Sequence, residues 1–590
     1  MSGKSYSVDH INVSNLLGWI NSGEIGLPEM QRPFVWKSTQ ARDLIDSLYK
    51  GYPIGFVVIW QNSTAELKNG DKAENKEIII DGQQRITALS AALEGNEIID
   101  NKYLKKRIRI AFKPETEEFA TQSAAIQKDP KWIQDISLFN QPDFHEFDYI
   151  VKNHDRLGLS EDELNKIIQK LKAISTSEIG VIKLDSNLPI NQVTDIFNRM
   201  NQTGTKLSSA DFAMSRLSSD TIHHGNDLRK EIEYFIQLYR DHNLVENIKK
   251  LDPDFTQSNY FKQISWADKE NVTLYQPDFS GILHICLGLG FLRGKLAQLV
   301  SLISGRDFEK RTYTEEAMND SYKKLADAIQ YVLNESNFKR YILLLNSLGM
   351  IDRADAKLPD SYLNFGYTFY LYLKKNTKYS NDKIEQYTKK WILMSALTKR
   401  YGSSPESAFD RDLRLINEAN QNDQLEQFFN DVIDQSLTDE FWNLTLPNSL
   451  VAQTTQLTNW RIFQMALIHS KSHTWLEKDK FTEDVVMRQG NIHHIFPKAY
   501  LRKNGFKQSQ YNQVANYIWI TQPRNLQIGD RAPKDYMNDR EVIKFHFNDN
   551  DAENAIPATL SSYDYNNYEQ FLKERRVLMA QSIKKLFESL

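Results

Sequence analysis

The chain has 590 residues, 41% of them hydrophobic and 25% charged. That excludes a mostly disordered protein and, at about 150 residues per domain, points to two to four folded domains. The 73 basic and 77 acidic residues leave a net charge of −4, a total that by itself argues against a nucleic-acid binder.

Residues 1–10 are polar and lack the apolar core of a signal peptide, so a cytoplasmic protein is expected. Ser38 is placed to cap a helix through Lys50, with Leu44, Ile45 and Leu48 on one face and Gly51 as its stop. Residues 54–60 and 76–80 read as short strands, the second ending at Asp81-Gly82. A helix over 84–93, closed near Gly95, follows. Residues 107–112 alternate charged and apolar side chains as an amphipathic strand would, and 178–184 is a further strand candidate. Val193, Ile196, Phe197 and Met200 then mark a helical stripe that stops at Gly204, and Ser208 with Asp211 resembles a capping box.

From about 217 to 480 the pattern is helical. Ile384, Tyr387, Trp391 and Met394 share one face of a helix expected to end at Gly402, and a weak boundary lies at Asp252-Pro253-Asp254. The most apolar stretch, 281–303, is interrupted by Arg293 and Lys295, so a buried helix is expected rather than a membrane span. Cys286 stands alone, so one chain can build neither a disulfide framework nor a thiolate zinc site.

Charge by region modifies the total. Residues 410–440 hold nine acids and two bases, whereas 485–540 hold nine bases and three acids. A basic segment of that size suits a phosphate-backbone surface, although a merely solvated face has the same composition. Within it lies Asn491-Ile492-His493-His494-Ile495-Phe496-Pro497, followed by Asn516 and Asn525. Adjacent histidines on a strand point to opposite faces, so one can bind a metal while the other does different work.

This order of His-His, Asn and Asn resembles the HNH endonuclease motif of the ββα-metal type, in particular the C-terminal nuclease domain of GmrSD-like proteins. The resemblance implies His494 as general base and His493 with Asn525 as ligands of one divalent ion. It also implies that Asn516 orients His494, and that Arg524, Lys534 and Lys498 make DNA contacts. HNH enzymes often carry Asp or Glu at the first metal position. An imidazole at His493 moves preference from magnesium toward manganese, cobalt, nickel or zinc. His223-His224 is a second pair without a partner pattern, and His546 is an alternative ligand remote from the motif.

Residues 78–85 place Asp81, Gly82, Gln83, Gln84 and Arg85 between a strand and a helix. Backbone N–H groups at the helix start suit an anion, Arg85 can grip a phosphate, and Asp81 can hold a metal or water; an ordinary turn is the plainer reading. Together with Leu27-Pro28-Glu29-Met30-Gln31-Arg32-Pro33-Phe34-Val35-Trp36 and Ile196-Phe197-Asn198-Arg199-Met200-Asn201-Gln202-Thr203-Gly204, the segment resembles the ParB-like N-terminal domain of the same GmrSD-like proteins. That implies nucleotide binding and hydrolysis at Asp81, Gly82, Gln83, Gln84 and Arg85, with Asp81 catalytic and Arg32, Asn198, Arg199 and Asn201 as further contacts. Phe34, Trp36 and the 193–200 stripe read as core.

The expected fold is α+β and multidomain: a mixed α/β ParB-like domain (1–217), a long, mostly helical coupling region (218–480), and a ββα-metal HNH nuclease with a C-terminal helix (481–590). The resemblance implies a type IV, modification-dependent restriction enzyme of anti-phage defence. Such an enzyme is a hydrolase that cuts foreign, modified double-stranded DNA under control of a nucleoside triphosphate. A divalent metal (Mg, Mn, Co, Ni or Zn) and an NTP are its expected cofactors, and a homodimer is one expected assembly. Two other classes stay open: an NTP-switched DNA-binding sensor with an inactive nuclease site, and a toxin-like nuclease acting on RNA or host DNA.

Overall fold

The structure is a computed structural model. It describes residues 6–22, 24–26, 34, 36–61, 77–100, 102–185, 188, 196, 208–218, 220, 222–269, 274–352, 357–454, 457–488, 490 and 492–590. Two compact units emerge: Met1–Asp268 with Leu299–Lys323, and Lys269–Gln298 with Lys324–Leu590. The architecture is mixed α and β, with the sheet in the first unit and long helices filling the second.

The first unit is built on a five-stranded sheet. Its strands are β1 (Tyr6–Asn12), β2 (Ile25–Gly26), β3 (Phe56–Gln61), β4 (Glu77–Asp81) and a late strand, Glu178–Leu184. The late strand lies between β1, antiparallel, and β3, parallel; β4 then pairs antiparallel with β3 and parallel with β2. Side-chain alternation sorts the core. Val57, Ile59, Ile179 and Val181 face one large apolar cluster shared with Leu16, Leu44, Ile45, Leu48 and Ile86. Val58, Trp60, Ile182 and Leu184 point the other way and carry Ile196 and Leu188. Strands buried on both faces read as continuous apolar runs, as residues 56–60 do, whereas 178–184 is read from its β-branched Ile179, Val181 and Ile182 between Glu178 and Lys183.

Several local expectations change. The helix α1 (Val13–Asn21) follows β1 directly. Ser38 is the first residue of α2 (Ser38–Tyr49) and does not cap it; Lys37 holds the cap position, where its N–H donates to Gln40 Oε1 at 2.9 Å. The 107–112 stretch is two strands with different partners: Lys105–Arg107 pairs with Glu97–Ile99, and Ile110–Lys113 pairs with Glu118–Thr121. The 84–93 helix is Gln83–Leu89 (α3) continued by one π turn to Glu94, ended by Gly95 at φ 75°. The capping box at Ser208 is present: Ser208 N–H donates to Asp211 Oδ2 at 2.6 Å and Asp211 N–H to Ser208 Oγ at 3.3 Å. Val193, Phe197, Met200 and Gly204 lie outside the described residues.

In the second unit the helix Phe279–Phe291 packs on Asp360–Asn376, which packs on Asn381–Leu397. Ile384, Tyr387, Trp391 and Met394 are all buried as expected, but their helix ends at Leu397, before Gly402. Buried tyrosines satisfy their hydroxyls internally: Tyr341 donates to Leu363 O and Tyr367 to Val332 O, each at 2.7 Å. The 281–303 stretch is two helices, because Leu292 turns to φ 54°. Among the described residues no single helix is long and apolar enough to cross a membrane, although the bent pair Phe279–Phe291 and Leu296–Ile303 reaches that length and composition together. Near the C-terminus Thr458–His469 packs against Tyr568–Glu588.

Candidate functional site

The two histidines sit on a short strand, Ile492–His494, paired antiparallel with Tyr517–Trp519 so that His493 is opposite Ile518 and His494 opposite Tyr517. A helix, Gln522–Ile528, follows and carries Asn525. Strand, strand and helix therefore occur in that order, with the strand alternation sending His493 and His494 to opposite faces.

Asn516 is fully buried and braces the turn after the first strand. Its Oδ1 accepts from Phe496 N–H at 2.8 Å, and its Nδ2 donates to Phe496 O at 3.1 Å and to Tyr511 O at 3.2 Å. Its backbone oxygen accepts from Ile495 N–H at 2.9 Å. Tyr536 adds a hydroxyl donated to Ile495 O at 2.9 Å. The hydrogen bond expected from Asn516 to His494 is instead made by Asn512, whose Oδ1 lies 3.0 Å from His494 Nε2. Asn516 cannot serve both ends, because its amide is committed to Phe496 and Tyr511.

That contact sets the chemistry of His494. With a carboxamide oxygen facing Nε2, this nitrogen carries the proton and donates, which leaves the lone pair on Nδ1. Burial pushes the imidazole below its ordinary range; the Asn512 bond works against that and the Lys498 charge works with it. The Tyr517 ring stands edge-on at 5.1 Å and restricts the imidazole. His493 is also held below the usual range, by burial and then by its neighbour His494. Both histidines are thus neutral near pH 7, the form that a base and a metal ligand require.

His493 and Asn525 make no side-chain hydrogen bond among the described residues, so both keep donor capacity for a ligand. Neither is anionic, and among the described residues no three His, Cys, Asp or Glu side chains cluster as a metal site. An imidazole and a carboxamide oxygen are donors that a divalent ion accepts when water and phosphate oxygens complete its shell. His546 is engaged elsewhere, by Asp551 at 3.0 Å. His223 does find partners, Asp220 at 2.8 Å and the Tyr322 ring stacked at 4.6 Å, and so is a held histidine.

The basic segment sorts into committed and open cations. Arg524, expected at a phosphate, is only 4% exposed. Its Nη1 donates to Gln527 Oε1 and to the carbonyls of Glu541 and Val542, and the guanidinium lies over the Phe545 ring. It is therefore a structural residue, since a DNA phosphate cannot reach a buried and occupied guanidinium. Lys534 is exposed but bound to Asp564 at 3.0 Å. Lys498, Arg502, Lys503 and Lys507 are exposed and make no ion pair among the described residues. The first three lie on the helix Lys498–Lys503, directly after the histidine strand.

Sequence reading missed Asn512 and Arg575. Arg575, from the C-terminal helix, is fully buried and donates to Ala515 O at 2.9 Å and Tyr517 O at 2.6 Å, on both sides of Asn516. Burial lowers its pKa to about 9. A signal existed: Arg575 falls midway between the buried Phe571 and Met579 at four-residue spacing, on the core face of the helix.

In the first unit Asp81 closes β4 and Gly82 turns at φ 101°, where a Cβ would come within 3.0 Å of Val57. Arg85 does not extend outward. Its Nη1 donates to Ile54 O at 2.9 Å, and its Nη2 donates to Phe56 O at 2.8 Å and to Asp81 Oδ2 at 3.1 Å. Gly55 permits this approach, as a Cβ there would lie 2.5 Å from Arg85 Nη1. Gln83 Nε2 reaches back to Ile79 O at 3.4 Å, while Gln84 is half-buried. Arg32, Asn198, Arg199 and Asn201 lie outside the described residues. Phe34 is core and Trp36 packs against that core, as expected.

Comparison with known proteins bears on the first unit most directly. The chain is 21% identical over 600 aligned residues to an uncharacterized protein of Methanocaldococcus jannaschii, with 95% of this chain and 92% of that protein covered. Residues 13–218 match the family model of the GmrSD restriction endonuclease, N-terminal domain, and so support a GmrSD-type restriction endonuclease family.

Proposed function

We propose that this protein is a metal-dependent DNA endonuclease of the HNH type whose cutting centre is the His493–His494 strand and whose activity is controlled by a nucleoside triphosphate at the Asp81–Arg85 turn. The observation that carries the reading is His494: half-buried, held neutral, fixed by Asn512 through Nε2, and followed by a helix of exposed cations without ion pairs among the described residues.

In this reading Lys498, Arg502 and Lys503 receive the DNA backbone. His494 Nδ1 takes a proton from the attacking water as oxygen bonds to phosphorus, and the bond to the 3′ oxygen breaks. A divalent ion held by His493 and Asn525 would stabilise charge on that leaving oxygen. Asn516, Tyr536 and Arg575 hold the backbone that presents the histidines.

The matched N-terminal domain supports a restriction role, and foreign, modified DNA is the proposed target. Asp81, Gly82, Gln83, Gln84 and Arg85 form the proposed nucleotide contact, and Arg32, Asn198, Arg199 and Asn201 are proposed as further contacts. A triphosphate would compete with Asp81 for Arg85, which gives the turn two alternatives for a nucleotide to choose between. The cytoplasm is the proposed location and a homodimer the proposed assembly.

The deciding experiment is cleavage of modified and unmodified phage DNA by wild type and His494→Ala, with metal and nucleotide varied. Cutting is expected to fall by about 10²–10⁴-fold in the variant, with DNA binding and NTP turnover retained. Cleavage at the wild-type rate by His494→Ala sinks the assignment. Asp81→Ala is expected to abolish NTP turnover, and unchanged turnover removes the nucleotide site from this turn.

A further inference from the structure

The second unit contains a cleft of about 600 Å³ between residues 506–513 and the C-terminal helix. That is within the range of small-ligand pockets, about 300–1,000 Å³. Its walls combine aromatic and apolar groups, carboxamides and two cations, with Glu569 the one acid among the lining residues. Phe506 supplies an aromatic ring, set edge-to-face on Tyr568 at 5.4 Å, and Val451 adds an apolar side chain that is 56% exposed. Gln513 and Gln570 supply carboxamides, each both donor and acceptor. Lys573 and Arg576 supply cations. Arg576 Nη2 reaches Gln513 Oε1 at 3.4 Å, yet its buried Nε has no partner among the described residues.

Carboxamides match the hydrogen-bonding edge of a nucleobase, aromatic and apolar walls match its faces, and cations match its phosphate. The cleft is also joined to the candidate centre: Gln513 follows Asn512, whose Oδ1 holds His494. We propose that this cleft binds a nucleotide, and that its source is one extrahelical nucleotide of the DNA strand being cut, seated base inward. The inference rests on the nuclease reading and deepens it, since a base out of the stack exposes the edge and substituents that separate modified from ordinary DNA. The cost of unstacking is offset by the stacking and hydrogen bonds that the seated base makes.

The test uses the full chain and a short duplex containing 2-aminopurine, which brightens when unstacked. Wild type and His494→Ala are expected to raise its emission by about threefold or more. Val451→Trp, which fills the mouth, and Lys573→Glu, an exposed change that tests folding independently, are expected to lose that rise. Affinity by anisotropy should change by only about threefold, since most contacts are to the backbone. A wild type that binds the duplex with no rise in emission, or a Val451→Trp variant that keeps the rise, overturns the extrahelical nucleotide. A second arm titrates a fluorescent dATP alone. Binding lost in Val451→Trp, with a silent duplex, assigns the cleft to free nucleotide and overturns the DNA source. Failure of wild type to bind or cut any duplex, with dATP binding intact, overturns the nuclease reading while the nucleotide site stands.

Discussion

Around Asp81 the charged groups close on one another, whereas around His494 they stay open. Arg85 commits its terminal nitrogens to Asp81 and to the carbonyls of Ile54 and Phe56. Beside His494, Lys498, Arg502 and Lys503 are exposed without ion pairs among the described residues, and the ring of His493 keeps its lone pair. The first arrangement satisfies its charges internally, whereas the second leaves its cations exposed. The difference follows from what lies within reach. Arg85 has an acid at four residues' distance and a glycine that admits it, while the 485–540 segment holds only three acids.

The largest stability effect expected from this contrast lies at Asn516. Replacing it by alanine removes three side-chain hydrogen bonds in a fully buried position. A loss of about 2–4 kcal/mol is expected, read as a lower urea midpoint; an unchanged midpoint breaks the view that Asn516 braces the histidine strand. Next, Arg85→Met should cost about 1–3 kcal/mol by leaving two carbonyls and Asp81 without their donor. If it is neutral in melting but abolishes nucleotide binding, the turn is open in solution and the contrast fails.

Smaller effects test the open site. Asn512→Ala should slow cutting by about tenfold as the ring loses its fixed tautomer. The pH profile gives its sign. A base works when neutral, and burial holds His494 below the ordinary 6.5, so activity should persist below pH 6.5 and fall on further acidification. Asn512 raises that pKa and Lys498 lowers it. Asn512→Ala therefore moves the acid limb down in pH, and Lys498→Ala moves it up; a shift of both in one direction contradicts the assignment. Smallest is the salt response: Lys498→Ala and Arg502→Ala should each reduce the slope of log affinity against log salt by about one.

Much of the fold was legible because the signals are local. The strand at 56–61 announces itself by the continuous apolar run 56–60, the one at 178–184 by its β-branched residues Ile179, Val181 and Ile182, and Ser208 with Asp211 needs only three residues of spacing to form its capping box. The 107–112 stretch misled because strand periodicity does not say where pairing changes partner. The helix over 381–397 ended early for a comparable reason, since Gly402 marks a turn that the chain reaches after the helix is over.

The candidate site divides the same way. The sequence by itself determined which chemistry is present: a histidine pair on a strand, two following asparagines, a local excess of cations, and an acid–glycine–arginine turn. Tertiary structure alone decided how those groups are used. It gave His494 to Asn512 and freed Asn516 to brace Phe496. It buried Arg524 under Glu541 and Val542, and brought Arg575 from the last helix to the carbonyls beside Asn516. Composition and spacing count donors and charges, but a polar group's partner is set by which backbone and side chains the packed core brings within about 3 Å.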